Sequence, residues 1–357
     1  MKGVLYFFIA IVAFMALSCR ENDRNIVIKK EIADNWEFSQ SGKDDWMPAV
    51  VPGTVHTDLL ANGKIEDPFY RLNEHDVQWI DKVGWDYKTS FTVEDQMMKR
   101  DVVELVFNGL DTYADVFLNG TKVLSADNMF RTWNVNVKEW LKKGENDLVV
   151  KFKSPIKEGI KKYDAQGYVI PVSGNDLAEI GQVEDGKKVS VYTRKAGYHF
   201  GWDWGPRFVT SGIWRPIELL AWNNAKINNL QIVQKNVTER KATFTANFEV
   251  DAVKKAGATL SVINDKNTLV TTNIDLKKGV NTYSVDFEID NPKLWWTNGL
   301  GEPHLYTLTG KLETGNGITT TDTRIGIRTL ELVREKDDAG TTFFFKLNGH
   351  PVFMKGA

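Results

Sequence analysis

The sequence predicts an all-β chain made of two successive β-sandwiches. Three observations carry this. From Trp85 onward, short runs rich in β-branched and aromatic residues recur about every 8–12 residues, the spacing of a sandwich and not of a parallel α/β sheet. Asn119-Gly120 and Asn348-Gly349 lie between such runs, and Asn-Gly supplies the two positive-φ residues of a tight type I′ hairpin. Asn223-Asn224-Ala225 interrupts the pattern, which then restarts. A chain of 357 residues has room for two or three domains of about 150 residues each.

Taken in order, the chain begins with Lys2 and an uncharged apolar run from Val4 to Leu17, then Ser18-Cys19. A short apolar segment behind one positive charge, ending in small residues, reads as a secretory signal and not as a membrane span. Cys19 is the only cysteine, and its position resembles the lipidated residue of a bacterial lipoprotein signal peptide. Leu17 departs slightly from the commonest form of that motif, and an ordinary signal with an incidental Cys is the alternative. The lipoprotein reading makes 1–19 a signal peptide and implies an exported protein, periplasmic or cell-surface, held to the membrane only by a lipid. Arg20 to Asn25 reads as a polar tether.

The first folded domain is assigned to 26–222. Its predicted strands include Asn35 to Ser39, Trp85 to Val93, Val102 to Asn108, Ala114 to Leu118, Lys122 to Ser125, Thr132 to Val137 and Asp147 to Lys153. Thr57 to Gly63 reads as a short helical turn closed by glycine. Segment 156–190 is polar and glycine-interrupted, and is read as a long surface excursion with little core. Ile217 to Trp222 closes the sandwich. The second domain, 225–330, has about seven strands in roughly 100 residues, the size of an immunoglobulin-like sandwich without the usual Cys pair. Residues 331–357 are read as a hairpin leading onward.

The most informative stretch is 197–216, which holds three of the twelve Trp, four Gly, two Pro and two Arg. Glycines and Pro206 exclude a helix, and Pro206 also removes a strand donor. It reads as an ordered loop in which Trp202 and Trp204 flank the Asp203 carboxylate, with Arg207 and His199 nearby. Two readings stand. Indole faces and a fixed carboxylate suit a small ligand such as a sugar; a packed Trp-rich corner with Asp203 and Arg207 as an internal ion pair would use the same residues.

Composition excludes several classes. Net charge is −2, with no basic stripe for nucleic acid. One Cys allows neither an intrachain disulfide nor a Cys-based zinc site, and His56, His75, His199, His304 and His350 form no His-x-x-x-His pair. No metal or cofactor is expected.

Several motifs, in this order, resemble the N-terminal half of β-mannosidases of the glycoside hydrolase family 2 type. They are Asn35-Trp36, Val51-Pro52-Gly53-Thr54-Val55-His56, Asp67-Pro68-Phe69-Tyr70, Gln78-Trp79-Ile80, Gly197 to Arg207, Gly212-Ile213-Trp214-Arg215-Pro216, Trp295 to Gly301, Pro303-His304-Leu305-Tyr306 and Asn348 to Ala357. The string Gly201-Trp202-Asp203-Trp204-Gly205-Pro206 is the specific one. Thr297 stands where the family usually has proline. The resemblance implies a jelly-roll sugar-binding domain, an immunoglobulin-like domain and the start of a (β/α)8 barrel that this chain truncates. It implies retaining exo-β-mannosidase activity on terminal β-D-mannose, with two barrel glutamates about 5–5.5 Å apart. Both glutamates are expected outside this chain, so Glu179, Glu184 and Glu302 are not nominated. On this resemblance Trp202, Asp203 and Trp204 hold the terminal mannose, and His199 and Arg207 support them, Arg207 by orienting Asp203. Trp295-Trp296 is expected to pack between domains. A non-catalytic carbohydrate-binding lipoprotein is the alternative from another class.

Overall fold

A computed structural model describes residues 27–315 and 317–356. The signal peptide expected at 1–19 and the lipidation expected at Cys19 lie outside the described residues. The described chain divides into two compact units that meet in sequence between Ala221 and Trp222.

Ten strands follow one another in the first unit: β1 (Ile28–Glu31), β2 (Glu37–Gln40), β3 (Met47–Pro48), β4 (Trp85–Val93), β5 (Val102–Phe107), β6 (Ala114–Leu118), β7 (Thr121–Ala126), β8 (Trp133–Asn136), β9 (Gly144–Phe152) and β10 (Ile217–Trp222). They form a four-stranded sheet, β1-β10-β5-β8, and a six-stranded sheet, β3-β2-β4-β9-β6-β7. The β1–β10 and β5–β8 pairings and all those of the six-stranded sheet are antiparallel. Side chains alternate along β4: Trp85, Tyr87 and Phe91 are buried, while Ser90 and Thr92 are exposed. Phe38, Tyr87, Leu105, Phe107, Val116 and Leu148 meet in one core. Asn119 (φ 51°) and Gly120 (φ 84°) make the turn between β6 and β7, as their sequence requires.

The helical turn foreseen at 57–63 begins earlier, at Val55, and runs to Ala61. Thr54 caps it in a reciprocal pair with Thr57, satisfying amides that would otherwise lack partners. Val55 N–H also donates to the Ser211 carbonyl at 2.8 Å, and Gly53 N–H to Ile213 at 2.8 Å. These bonds tie the end of the 197–216 stretch to the start of the helix. Gly212 is needed there: its φ is 154°, and a Cβ would lie 2.6 Å from the Gly53 carbonyl oxygen.

The reading of 156–190 as an excursion with little core is corrected. Pro155–Gln166 is an α-helix, with Ser154 as N-cap, Pro155 in the first turn and Gly167 closing it at φ 76°. Ile156, Ala178, Val183, Val189, Phe200 and Val209 then form a small core of their own, against which Ile160 and Tyr163 pack. This satellite core supports the back of the Trp-rich loop.

The second unit is a seven-stranded sandwich: β11 (Ala225–Val237), β12 (Lys241–Ala252), β13 (Ala256–Asn264), β14 (Asn267–Leu276), β15 (Gly279–Asp290), β16 (Tyr306–Thr314) and β17 (Gly317–Ile325). Sheets β11-β12-β15 and β14-β13-β16-β17 enclose Phe244, Phe248, Leu260, Val262, Phe287 and Leu308. Strand β14 falls between the runs Ala258 to Asn264 and Val280 to Phe287 that read as strands in the sequence, and it is not itself marked there, being a sheet edge on which only Leu276 is fully buried. Beyond it, Leu330–Val333, Phe344–Leu347 and His350–Val352 form a small antiparallel sheet turning at Asn348-Gly349. Asn348 Nδ2–H donates to the Trp295 carbonyl at 3.0 Å, and the Trp296 ring lies 5.4 Å from that of His350. The double Trp therefore joins the sandwich end to the terminal hairpin. Among the described residues no closed barrel is formed.

Candidate functional site

The long β9–β10 connection, 153–216, builds a cleft of about 560 Å³. That volume falls among small-ligand sites, which span about 300–1,000 Å³. Its lining includes Phe69, Tyr198, His199, Trp202, Trp204 and Phe208, with Thr210 among the polar groups. The Gly197–Phe200 turn presents Tyr198 and His199, whose rings meet edge to face at 4.8 Å. A bend from Trp202 to Gly205, closed by a Trp202 N–H bond to the Gly205 carbonyl at 3.4 Å, sets the two indoles 5.3 Å apart at 67°. Phe69 comes from a separate loop and meets Phe208 edge-on at 5.2 Å. The walls are thus aromatic faces, several of them wet: Trp204 is 81% exposed and Phe69 74%.

Of the sequence-predicted residues, Trp202, Trp204 and His199 line this cleft, whereas Asp203, between the two Trp in sequence, is exposed and is not one of the lining residues. Arg207 does not orient Asp203. It is 1% exposed and turned inward, where Nη1 donates to Asp81 Oδ2 at 2.6 Å and to Gln78 Oε1 at 2.5 Å. A buried guanidinium needs a desolvated carboxylate, and Asp81 is buried whereas Asp203 is in water. Arg207 is therefore an anchor beneath the loop, and the predicted ion pair with Asp203 is corrected. Gly181 makes room for it: a Cβ there would stand 2.3 Å from Arg207 Cζ.

Tyr198, Phe208 and Thr210 also line the cleft, with Lys195, Asp111 and Asp81 behind them, and no pattern in the sequence marks these six residues as site residues. Phe69 carried a signal, being half of an aromatic pair in the Asp67-Pro68-Phe69-Tyr70 loop. Lys195 and Asp111 form an ion pair that is almost wholly buried, and Lys195 Nζ also donates to Thr210 O at 2.9 Å and Oγ1 at 3.0 Å. Burial lowers the Lys195 ammonium from its usual range, opposed by the Asp111 carboxylate. Among the described residues no cluster of three or more His, Cys, Asp or Glu could hold a metal.

Two histidines here are held neutral. His56 is lowered from 6.5 to about 3, first by burial and then by the Lys195 charge, and its Nδ1 is buried without a partner. His199 is lowered to about 4, first by burial and then by Lys195, with Asp111 opposing. Because the unfolded chain takes up these protons first, their contribution is complete above about pH 6.5 and is lost as the pH falls toward 4. Each adds a slope of up to about 1.4 kcal/mol per pH unit. His56→Phe, keeping a ring against Phe208, is expected to flatten the fall of unfolding free energy between pH 6.5 and 4.5 by up to about that amount. Urea titrations at three pH values check this, and equal slopes in both proteins would contradict it.

Residues 36–215 match the family described as glycosyl hydrolase 2 galactose-binding domain-like, and residues 225–328 match glycosyl hydrolases family 2. β-Mannosidase B of Aspergillus flavus is 33% identical over 338 residues, covering 91% of this chain and 38% of that protein. The β-mannosidase of Capra hircus is 32% identical over 342 residues, covering 93% of this chain and 38% of that protein. The crystal structure of a β-D-mannosidase from Dictyoglomus thermophilum superposes with a TM-score of 0.80 at 35% identity, covering 92% of this chain and 40% of that one. An exo-chitosanase from Amycolatopsis orientalis, 21% identical with a TM-score of 0.70 over 92% of this chain and 37% of that one, shares the fold. The chain spans about two fifths of the length of these β-mannosidases. It carries the two N-terminal β-sandwich domains of, and belongs to, glycoside hydrolase family 2.

Proposed function

We propose that this chain is the sugar-holding portion of a retaining exo-β-mannosidase that releases terminal non-reducing β-D-mannose. The observation that carries the reading is the pairing of Trp202 and Trp204 in a cleft walled by aromatic rings, with the exposed Asp203 on the bend that joins them. An indole takes the apolar C–H face of a pyranose, and a carboxylate accepts hydrogen bonds from its hydroxyls. Fixing one ring by its face and its hydroxyls holds the glycosidic bond where two carboxyl groups can act on it. Those catalytic glutamates are supplied by residues outside this chain. The likeness to proteins named β-mannosidases supports the choice of mannose. The apolar run and Cys19 support an exported lipoprotein, anchored by lipid in the periplasm or at the cell surface.

The catalytic part of the reading is tested with the chain alone. On 4-nitrophenyl β-D-mannopyranoside it is expected to release no nitrophenolate above the uncatalysed rate. Turnover abolished by a substitution within residues 27–356 would contradict the assignment of the glutamates to residues elsewhere.

A further inference from the structure

The buried polar chain behind the cleft fixes one proton. Thr210 Oγ1 lies 2.7 Å from Asp111 Oδ2, 3.0 Å from Lys195 Nζ and 3.1 Å from His199 Nδ1. A hydroxyl has one hydrogen to give and two lone pairs to accept with. The Asp111 carboxylate, paired with the Lys195 ammonium, only accepts, so the Thr210 hydrogen goes to it. The ammonium only donates, so it takes up at most one lone pair of Oγ1 and never its hydrogen. The remaining lone pair faces His199 Nδ1, which therefore must donate. A neutral imidazole carries a single N–H, so Nε2 is left with its lone pair. Among the described residues Nε2 has no hydrogen-bond partner, and it is not enclosed, while the ring lines the cleft. Burial and the Lys195 charge keep this imidazole neutral at pH 7.

We propose that Thr210, held by Lys195 and Asp111, locks His199 in the Nδ1–H tautomer so that Nε2 stands in the cleft as a hydrogen-bond acceptor for a ligand hydroxyl. The acceptor role rests on the sugar-binding reading; the tautomer does not. It is the opposite of the tautomer that predominates for free histidine in water. Thr210, Lys195 and Asp111 are positioning residues, and His199 is a specificity residue that accepts from a hydroxyl and offers no proton to a ring oxygen. The Trp-lined cleft would otherwise offer few neutral acceptors, and the Asp203 carboxylate is not among its lining groups.

Long-range proton–nitrogen NMR on the full chain, nitrogen-labelled at histidine and free of sugar at pH 7, reads the protonated ring nitrogen directly. His199 is identified by the signal missing in His199→Gln. The expected result is Nδ1–H in the wild type and in Thr210→Ser, which keeps the hydroxyl, with a change to predominantly Nε2–H in Thr210→Val. An Nε2–H wild type overturns the proposal, as does Nδ1–H persisting in a folded Thr210→Val. Adding methyl β-D-mannopyranoside is expected to shift the Nε2 resonance. A resonance unmoved at saturating sugar, with Nδ1–H intact, would count against the hydroxyl-acceptor role and the sugar-binding reading while leaving the tautomer established.

Discussion

Replacing Asp81 with alanine is expected to destabilise the first unit by about 3–5 kcal/mol, because it leaves a guanidinium buried without its carboxylate. Arg207 is 1% exposed and Asp81 3%, so water cannot take over the missing interaction. Gln78 Oε1 would remain as an acceptor, but a neutral amide does not balance a charge. The Arg207 backbone is also engaged: its N–H donates to Glu74 Oε1 at 2.6 Å, and its carbonyl accepts from Gln78 Nε2 at 2.9 Å. The guanidinium therefore cannot swing out without dismantling the segment that follows Pro206. Burial raises the Asp81 carboxyl above its usual range even with Arg207 opposing, a sign of how much desolvation the pair carries. The expected drop in melting temperature is on the order of 10 °C for a unit of this size. An Asp81→Leu/Arg207→Met double variant is expected to recover much of the loss, since removing both charges leaves no buried charge unpaired and only the neutral Gln78 Oε1 without its donor. Thermal and urea unfolding of the three proteins decide it, and a loss under about 1 kcal/mol in Asp81→Ala would contradict the anchoring role.

Local signals in the sequence translated well. Asn119-Gly120 set a hairpin because the backbone there demands positive φ, and the β-branched and aromatic runs at Trp85 to Val93 and its neighbours became strands. The Trp202-Asp203-Trp204 bend was legible as a loop from its glycines and proline. The helix at Pro155–Gln166 was also written locally, in Ser154-Pro155, in Ile156, Ile160 and Tyr163 spaced for one helical face, and in Gly167. Its polar composition hid that pattern. Non-local choices were not legible. Asp203 is four residues from Arg207, yet the guanidinium takes Asp81, 126 residues away, because burial and not sequence distance selects the partner. The Lys195–Asp111–Thr210 cluster is likewise assembled from distant segments, and nothing near Thr210 in sequence marks it as the residue that orients His199. Strand β14 escaped notice because an edge strand needs little apolar alternation.

The second large effect concerns the cleft itself. Trp202 bends back through its bond to Gly205 and sets its ring edge to face with Trp204, so its removal takes away both a stacking plane and a neighbour's support. Trp202→Ala is expected to weaken mannoside binding by about 10- to 100-fold, the equivalent of about 1.5–3 kcal/mol of aromatic contact. Asp203→Ala, which removes an exposed carboxylate and no packing, is expected to weaken binding without lowering the melting temperature. Nuclear magnetic resonance titration of the full chain with methyl β-D-mannopyranoside, following the indole N–H signals, measures this directly. The Trp202 and Trp204 signals are expected to shift with the mannoside, methyl β-D-galactopyranoside to move them far less, and Asp203→Ala to raise the dissociation constant. Indole signals unmoved by the mannoside, or an affinity unchanged in a folded Asp203→Ala, would contradict the sugar-binding reading.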